Sequence, residues 1–229
     1  MSSKALQSFV FAFGMCVVCA LLLTGAAMGL KDRQDQNKLV DQQKNILKAL
    51  GELEASEVLT GEEIMARFQA RCELVYLSKD GRMSAQADEV FTLPLYLVRE
   101  AGEIQKYGVP FKAYGLWSWI YGYIALDGGG DNVIGFTVYQ HAETPGLGAE
   151  CEKPWFQNQF KGKRITDQDG DFVSIWIAKG AYKDEAKPNQ YHHYIDGMSG
   201  ATITSKGIEK HLKKTLSQYE PFSKALREQ

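Results

Sequence analysis

Between Phe9 and Leu30 the chain carries no charged side chain. At about 1.5 Å of rise per residue, a helix over this run reaches roughly 33 Å, enough for a bilayer core of about 30 Å. Such a run divides the chain in two. It is either a membrane anchor or a leader, and whatever folds in water follows it. The small residues of Thr24-Gly25-Ala26-Ala27-Met28-Gly29 would suit signal-peptide cleavage. The apolar stretch continues past them and is long for a leader, so a retained anchor is the reading adopted. Mean hydropathy is nevertheless −0.28. The rest of the 229 residues must therefore form a water-soluble domain, long enough to bury a core.

Charge and cysteine usage narrow the class. The formal net charge is −2, with no basic tail or patch, so nothing suggests a nucleic-acid partner. Lys4 precedes the apolar run and Lys31, Arg33 and Lys38 follow it. The positive-inside rule, taken literally, places the soluble domain in the cytoplasm. Cys16 and Cys19 lie within the apolar run, facing lipid or packing a helix. Cys72 and Cys151 are the only cysteines of the soluble part and could pair in an oxidising compartment, if close enough. No Cys/His cluster has metal-ligand spacing, so no structural metal is expected.

Along the soluble part, Asp35 to Leu50 reads as a polar helix with one apolar stripe, stopped at Gly51. It would stand the domain off the membrane. Thr60-Gly61-Glu62-Glu63 looks like a capping box and predicts a helix over 61–71. Strands are predicted at Leu74 to Leu77, at Thr92 to Val98 and Glu103 to Tyr107 around Ala101-Gly102, and at Phe172 to Ala178. Trp119 to Leu126 and Val133 to Gln140 flank a glycine-rich turn and form the clearest hairpin. A final helix is expected near Ser205, carried by Ile208, Leu212, Leu216 and Tyr219, with a short terminal helix after Pro221. One run of strands with helices at its ends predicts an α+β fold with a largely antiparallel sheet.

Three segments carry candidate chemistry. Ser199-Gly200-Ala201-Thr202 places hydroxyls and small residues just before the final helix. Orphan amides and the helix dipole make such a place suited to phosphate, although a plain helix cap, with Ser205 capping, has the same composition. Glu143-Thr144-Pro145-Gly146-Leu147-Gly148 follows the strong hairpin. It is a tight loop able to press its backbone on a flat ring, or an ordinary Pro-Gly turn. Gly115-Leu116-Trp117-Ser118-Trp119-Ile120-Tyr121-Gly122 is an aromatic strand entry, suited to core packing or to a wall beside a ring. His141, His192 and His193 read as surface or strand-end residues. There is no Gly-x-Ser-x-Gly elbow and no His/Asp arrangement, so a hydrolase has little support.

In this order, and with the single N-terminal anchor, the segments resemble the C subunit of sodium-translocating NADH:quinone oxidoreductases. Gln43-Lys44-Asn45-Ile46-Leu47, Trp155 and Phe160-Lys161-Gly162-Lys163 extend the resemblance from the anchor to the last helix. The G subunit of Rnf-type ferredoxin:NAD complexes is a related alternative. So is, in a different class, a flavin-free membrane-anchored binding or scaffold domain.

The resemblance implies FMN held covalently, by a phosphoester to Thr202. Ser199 and Thr204 would be hydrogen-bond partners, with Gly200, Ala201 and Ile203 lining the approach. Glu143, Thr144, Gly146, Leu147 and Gly148 would contact the ring or ribityl chain, with Trp117 and Ser118 across from them. It divides the chain into a tail at 1–8, a transmembrane helix at 9–30, a polar helical connector at 31–59 and an extracytoplasmic FMN-binding domain at 60–229. It further implies a single-pass protein of the bacterial inner membrane with its soluble domain in the periplasm, against the charge rule. The partners implied are five other subunits and, during maturation, a flavin transferase using FAD and magnesium. Electrons from NADH would pass through this FMN toward ubiquinone, coupled to sodium export. No independent catalysis is expected of the chain.

Overall fold

The computed structural model describes residues 3–54 and 56–228. Two compact units are present, residues 1–40 and 41–229. The first is the exposed part of helix α1 (Ser3–Ala49), long and apolar enough to cross a membrane.

The second unit is built on a six-stranded antiparallel sheet. Its strands are β1 (Glu73–Leu77), β2 (Met83–Ser84), β3 (Leu93–Glu100), β4 (Glu103–Tyr114), β5 (Trp119–Asp127) and β6 (Val133–Gln140). Their order is β2-β1-β3-β4-β5-β6, so every neighbour but one follows in sequence. Positive φ at Ala101 and Gly102 makes the tight β3–β4 turn. Asp127 accepts the amides of Asp131 and Asn132 across the β5–β6 turn.

Both faces of the sheet are covered, which is why β5 reads as a nearly unbroken buried run. One face carries Leu95, Leu97, Tyr107, Val109, Phe111, Ile120 and Ile124 against helix α5 (Thr202–Arg227) and the segment before it. The other carries Val98, Tyr123 and Ala125 against Ile46, Ala49 and Leu50 at the end of α1, with Phe68 of helix α2 (Gly61–Arg71) alongside. Residues 41–54, expected within a connector, thus supply core to the soluble unit. Helix α2 starts on the predicted box: Glu63 N donates to Thr60 Oγ1 and Thr60 N to Glu63 Oε2.

Three local expectations change. The strand predicted at Phe172 to Ala178 shrinks to β7 (Trp176–Ile177), after the short helix α3 (Pro154–Gln157). Phe172 instead bridges Thr166 across a turn, and Ser174 adopts φ +73, which breaks the extended run. Strand β7 pairs in parallel with β8 (Tyr194–Ile195), beyond the short helix α4 (Tyr182–Glu185). Helix α5 starts at Thr202, not Ser205, and passes through Pro221 without a break. The proline removes one helical N–H. Burial of Tyr219 and Phe222, with Tyr219 Oη donating to Pro94 O and Tyr107 Oη bonding Ser223 Oγ, holds the turn across it. Cys72 and Cys151 are unpaired and pack into clusters on opposite faces of the sheet.

Since Leu50 is fully buried and Leu39 is exposed, truncation should separate them. Leu50→Ala should cost about 2–5 kcal/mol in denaturant unfolding of the full chain. Leu39→Ala should stay within roughly 0.5 kcal/mol.

Candidate functional site

The site forms where three chain segments meet at one end of the sheet: the β4–β5 connection, the loop after β6 and the start of α5. A single carboxylate joins them. Glu143 is only 5 % exposed. Its Oε1 accepts the amides of Trp117 and Ser118, each at 2.9 Å, and its Oε2 accepts the Leu116 amide at 3.2 Å. Three successive N–H groups converge on one anion, a backbone nest. The Thr204 hydroxyl donates to Oε2 at 2.7 Å from the first turn of α5.

The surroundings are shaped to this carboxylate. A Cβ on Gly115 would stand 2.6 Å from Oε1, and one on Gly148 would stand 2.5 Å from Oε2. The Ser118 hydroxyl accepts the Ala142 amide at 2.8 Å. Glu143 N donates to His141 Nδ1, which leaves His141 Nε2 to donate to Glu152. His141 is therefore a fixed strut of the loop. Burial alone would push the Glu143 carboxyl up. The Thr204 hydroxyl and the three amides outweigh burial and hold it below the usual carboxylate range.

Above this floor lies a cavity of about 430 Å³. It is lined by Leu116, Trp117, Glu143, Thr144, Leu147, Gly148, Gly200, Ala201, Thr202, Ile203 and Thr204. All three predicted segments thus reach one pocket. Ser118 stands behind Glu143, while Gly146 and Ser199 lie outside the lining. Leu116 was missed as a site residue; its place beside Trp117 in the aromatic entry was the available signal.

Thr202 is the first residue of α5 and is exposed. No side chain caps this end: Ala201 is the N-cap, and Ser205 Oγ instead accepts the Met198 amide from inside the helix. Among the described residues the amides of Thr202, Ile203 and Thr204 have no acceptor. Free amides, the positive end of a long helix and an exposed hydroxyl fit a phosphate group at this spot. Gly200 has φ +71, and a Cβ there would come within 2.8 Å of Leu147 Cδ2. Trp117, Leu147 and Ile203 are exposed at the cavity, flat apolar surface of the kind a ring system covers. The histidine expectation is corrected in part: His193 is buried, its Nδ1–H donating to Arg164 O at 2.8 Å.

A ring-sized, largely apolar pocket at a free helix N-terminus fits an aromatic cofactor that carries a phosphate. The FMN-binding domain family matches residues 115–217, which contain the whole pocket. The C subunit of the Na(+)-translocating NADH-quinone reductase of Yersinia pestis is 35% identical over 93% of this chain and 90% of its own. Its Pseudomonas aeruginosa counterpart is 32% identical over 89% and 88%. The crystal structure of the same subunit from Parabacteroides distasonis superposes with a TM-score of 0.71 at 30% identity, covering 85% of this chain and 96% of that one. The Shewanella oneidensis NqrC structure shares the fold, with a TM-score of 0.68 at 24% identity, covering 86% and 100%. The chain belongs to the family of C subunits of Na(+)-translocating NADH-quinone reductases.

The lowered Glu143 value makes the clamp acid-labile. Its contribution is complete above the unfolded value of about 4.3 and fades as pH falls through the lower folded value. Glu143→Gln should therefore cost about 1.5–3 kcal/mol near neutral pH. In unfolding titrations against pH, the gap to the unsubstituted chain should close on acidification through the carboxylate range.

Proposed function

We propose that this chain is an electron-carrier subunit holding FMN through a phosphoester to Thr202, on the periplasmic side of the bacterial inner membrane. The observation that carries this reading is the exposed Thr202 hydroxyl on an uncapped helix start, opening into the pocket walled by Trp117 and Leu147. The flavin supplies one- and two-electron chemistry when bound. The chain supplies position. The α5 amides would offset the phosphate charge, Leu147 and the Thr144–Gly148 turn would border the ring, and Trp117 stands on the Glu143 nest. Among the described residues, the only titratable group lining the pocket with Thr202 is Glu143, which is already engaged by three amides and two hydroxyls. That favours attachment by a separate flavin transferase over self-modification. Family membership supports partnership with the other subunits of a quinone reductase, five by the resemblance, and electron flow from NADH to ubiquinone coupled to sodium export.

Thr202→Ala should abolish the covalent flavin while changing stability by no more than roughly 0.5 kcal/mol. Intact-protein mass and in-gel fluorescence after denaturation, with a flavin transferase co-expressed, would show it. An adduct surviving in Thr202→Ala would overturn the assignment. No adduct on the unsubstituted chain, with the transferase active on a control, would favour the flavin-free scaffold. Periplasmic placement opposes the charge bias of Lys31, Arg33 and Lys38 and rests on family resemblance. Protease added to intact spheroplasts should digest the soluble unit; full protection would place it in the cytoplasm.

A further inference from the structure

Among the described residues, Glu143 is the only charged side chain lining the flavin pocket. Every other lining residue is apolar, glycine or a hydroxyl. The carboxylate is not a loose surface acid. It is nearly fully buried, and its two oxygens accept from two other segments: three amides of the β4–β5 connection, with the Ser118 hydroxyl at 3.5 Å, and the Thr204 hydroxyl of α5. The Gly115 and Gly148 backbones press on it so closely that a Cβ would collide. It cannot swing away when charge in the pocket changes.

We infer that Glu143 is a positioning residue with an electrostatic role, a fixed negative charge that holds down the electron affinity of the flavin in this pocket. The inference rests on the flavin occupying that pocket. Reduction of a flavin bound there would add negative charge to the pocket. A fixed anion in an apolar, partly water-excluded site opposes that step. The donors around the carboxylate set how much of its field reaches the pocket. Three are backbone amides of the β4–β5 connection, joined by the more distant Ser118 hydroxyl, and the shortest, Thr204 Oγ1, belongs to the helix that begins at Thr202.

This arrangement predicts opposite signs for two substitutions at one contact. Glu143→Gln removes the charge and should raise the flavin midpoint potential. At a fixed mediator potential, the reduced-to-oxidised ratio should rise roughly tenfold. Thr204→Val keeps the charge and removes one donor. It should lower the potential. Glu143→Asp, which keeps the charge, should stay nearer the unsubstituted value than Glu143→Gln.

The experiment is a mediated redox titration at mildly alkaline pH of the full chain in detergent, co-expressed with a flavin transferase, with intact mass read on each sample. A positive shift for Glu143→Gln and a negative one for Thr204→Val would support the inference. Equal potentials in samples carrying the adduct, or shifts of one sign in both variants, would overturn it and leave Glu143 as a structural tie. If Glu143→Gln does not fold, the sign of the Thr204→Val shift decides alone. Absence of the adduct from the unsubstituted chain would overturn both this inference and the covalent-carrier reading.

Discussion

One buried anion organises the functional end of this protein. Among the described residues, the β4–β5 connection, the loop after β6 and the start of α5 share no backbone hydrogen bond at the pocket, so side chains must fix their spacing. The Glu143 carboxylate does so by accepting from Leu116, Trp117, Ser118 and Thr204 together. Hydrogen bonds to an ionised acceptor are roughly twice as strong as neutral ones, and breaking one leaves the rest strained around a buried charge. The wall residue Trp117, the turn that carries Leu147 and the helix that carries Thr202 are therefore positioned by one group. Ser118 and His141 extend the same network outward to Ala142 and Glu152.

Much of the fold was legible because it follows from local rules. Alternation and turn chemistry located β3 to β6, and a reciprocal cap located α2. The misread places are those where tertiary context overrides local preference. Ser205 looks like a helix cap by composition, but its hydroxyl serves the buried Met198 amide and the helix begins three residues earlier. Pro221 looks like a break, but buried aromatics on both sides of it carry the helix through. Phe172 to Ala178 has strand composition, yet left-handed Ser174 ends any long pairing. At the site, segment order and motif identity found the pocket. They could not separate Glu143 and Thr204, which bond each other, from residues free to touch a ligand, because that distinction depends on a contact across 61 positions of sequence.

The two ends of the pocket carry opposite electrostatics. At Thr202 the helix start offers unpaired amides and the positive end of its dipole, which suits a phosphate. Beneath the pocket the carboxylate has already taken its donors. The Thr204 hydroxyl lies on the same helical turn and links the two features. The turn that carries Thr202 also helps fix the position of the carboxylate, through Thr204.

The pocket is open. Trp117 is 67 % exposed, Ile203 61 % and Leu147 42 %. A ring resting on such walls would gain modest burial compared with an enclosed cofactor, and noncovalent affinity would suffer. Openness has a use for a carrier, because electrons must enter and leave through close approach of partner centres. The covalent link to Thr202 proposed above would resolve the conflict, since a tethered group meets its pocket at a high effective concentration whatever its intrinsic affinity. Retention would then fall to the tether and orientation to the Glu143 network. The exposed apolar rim remains available to partners, and each of these roles can vary without undoing the others.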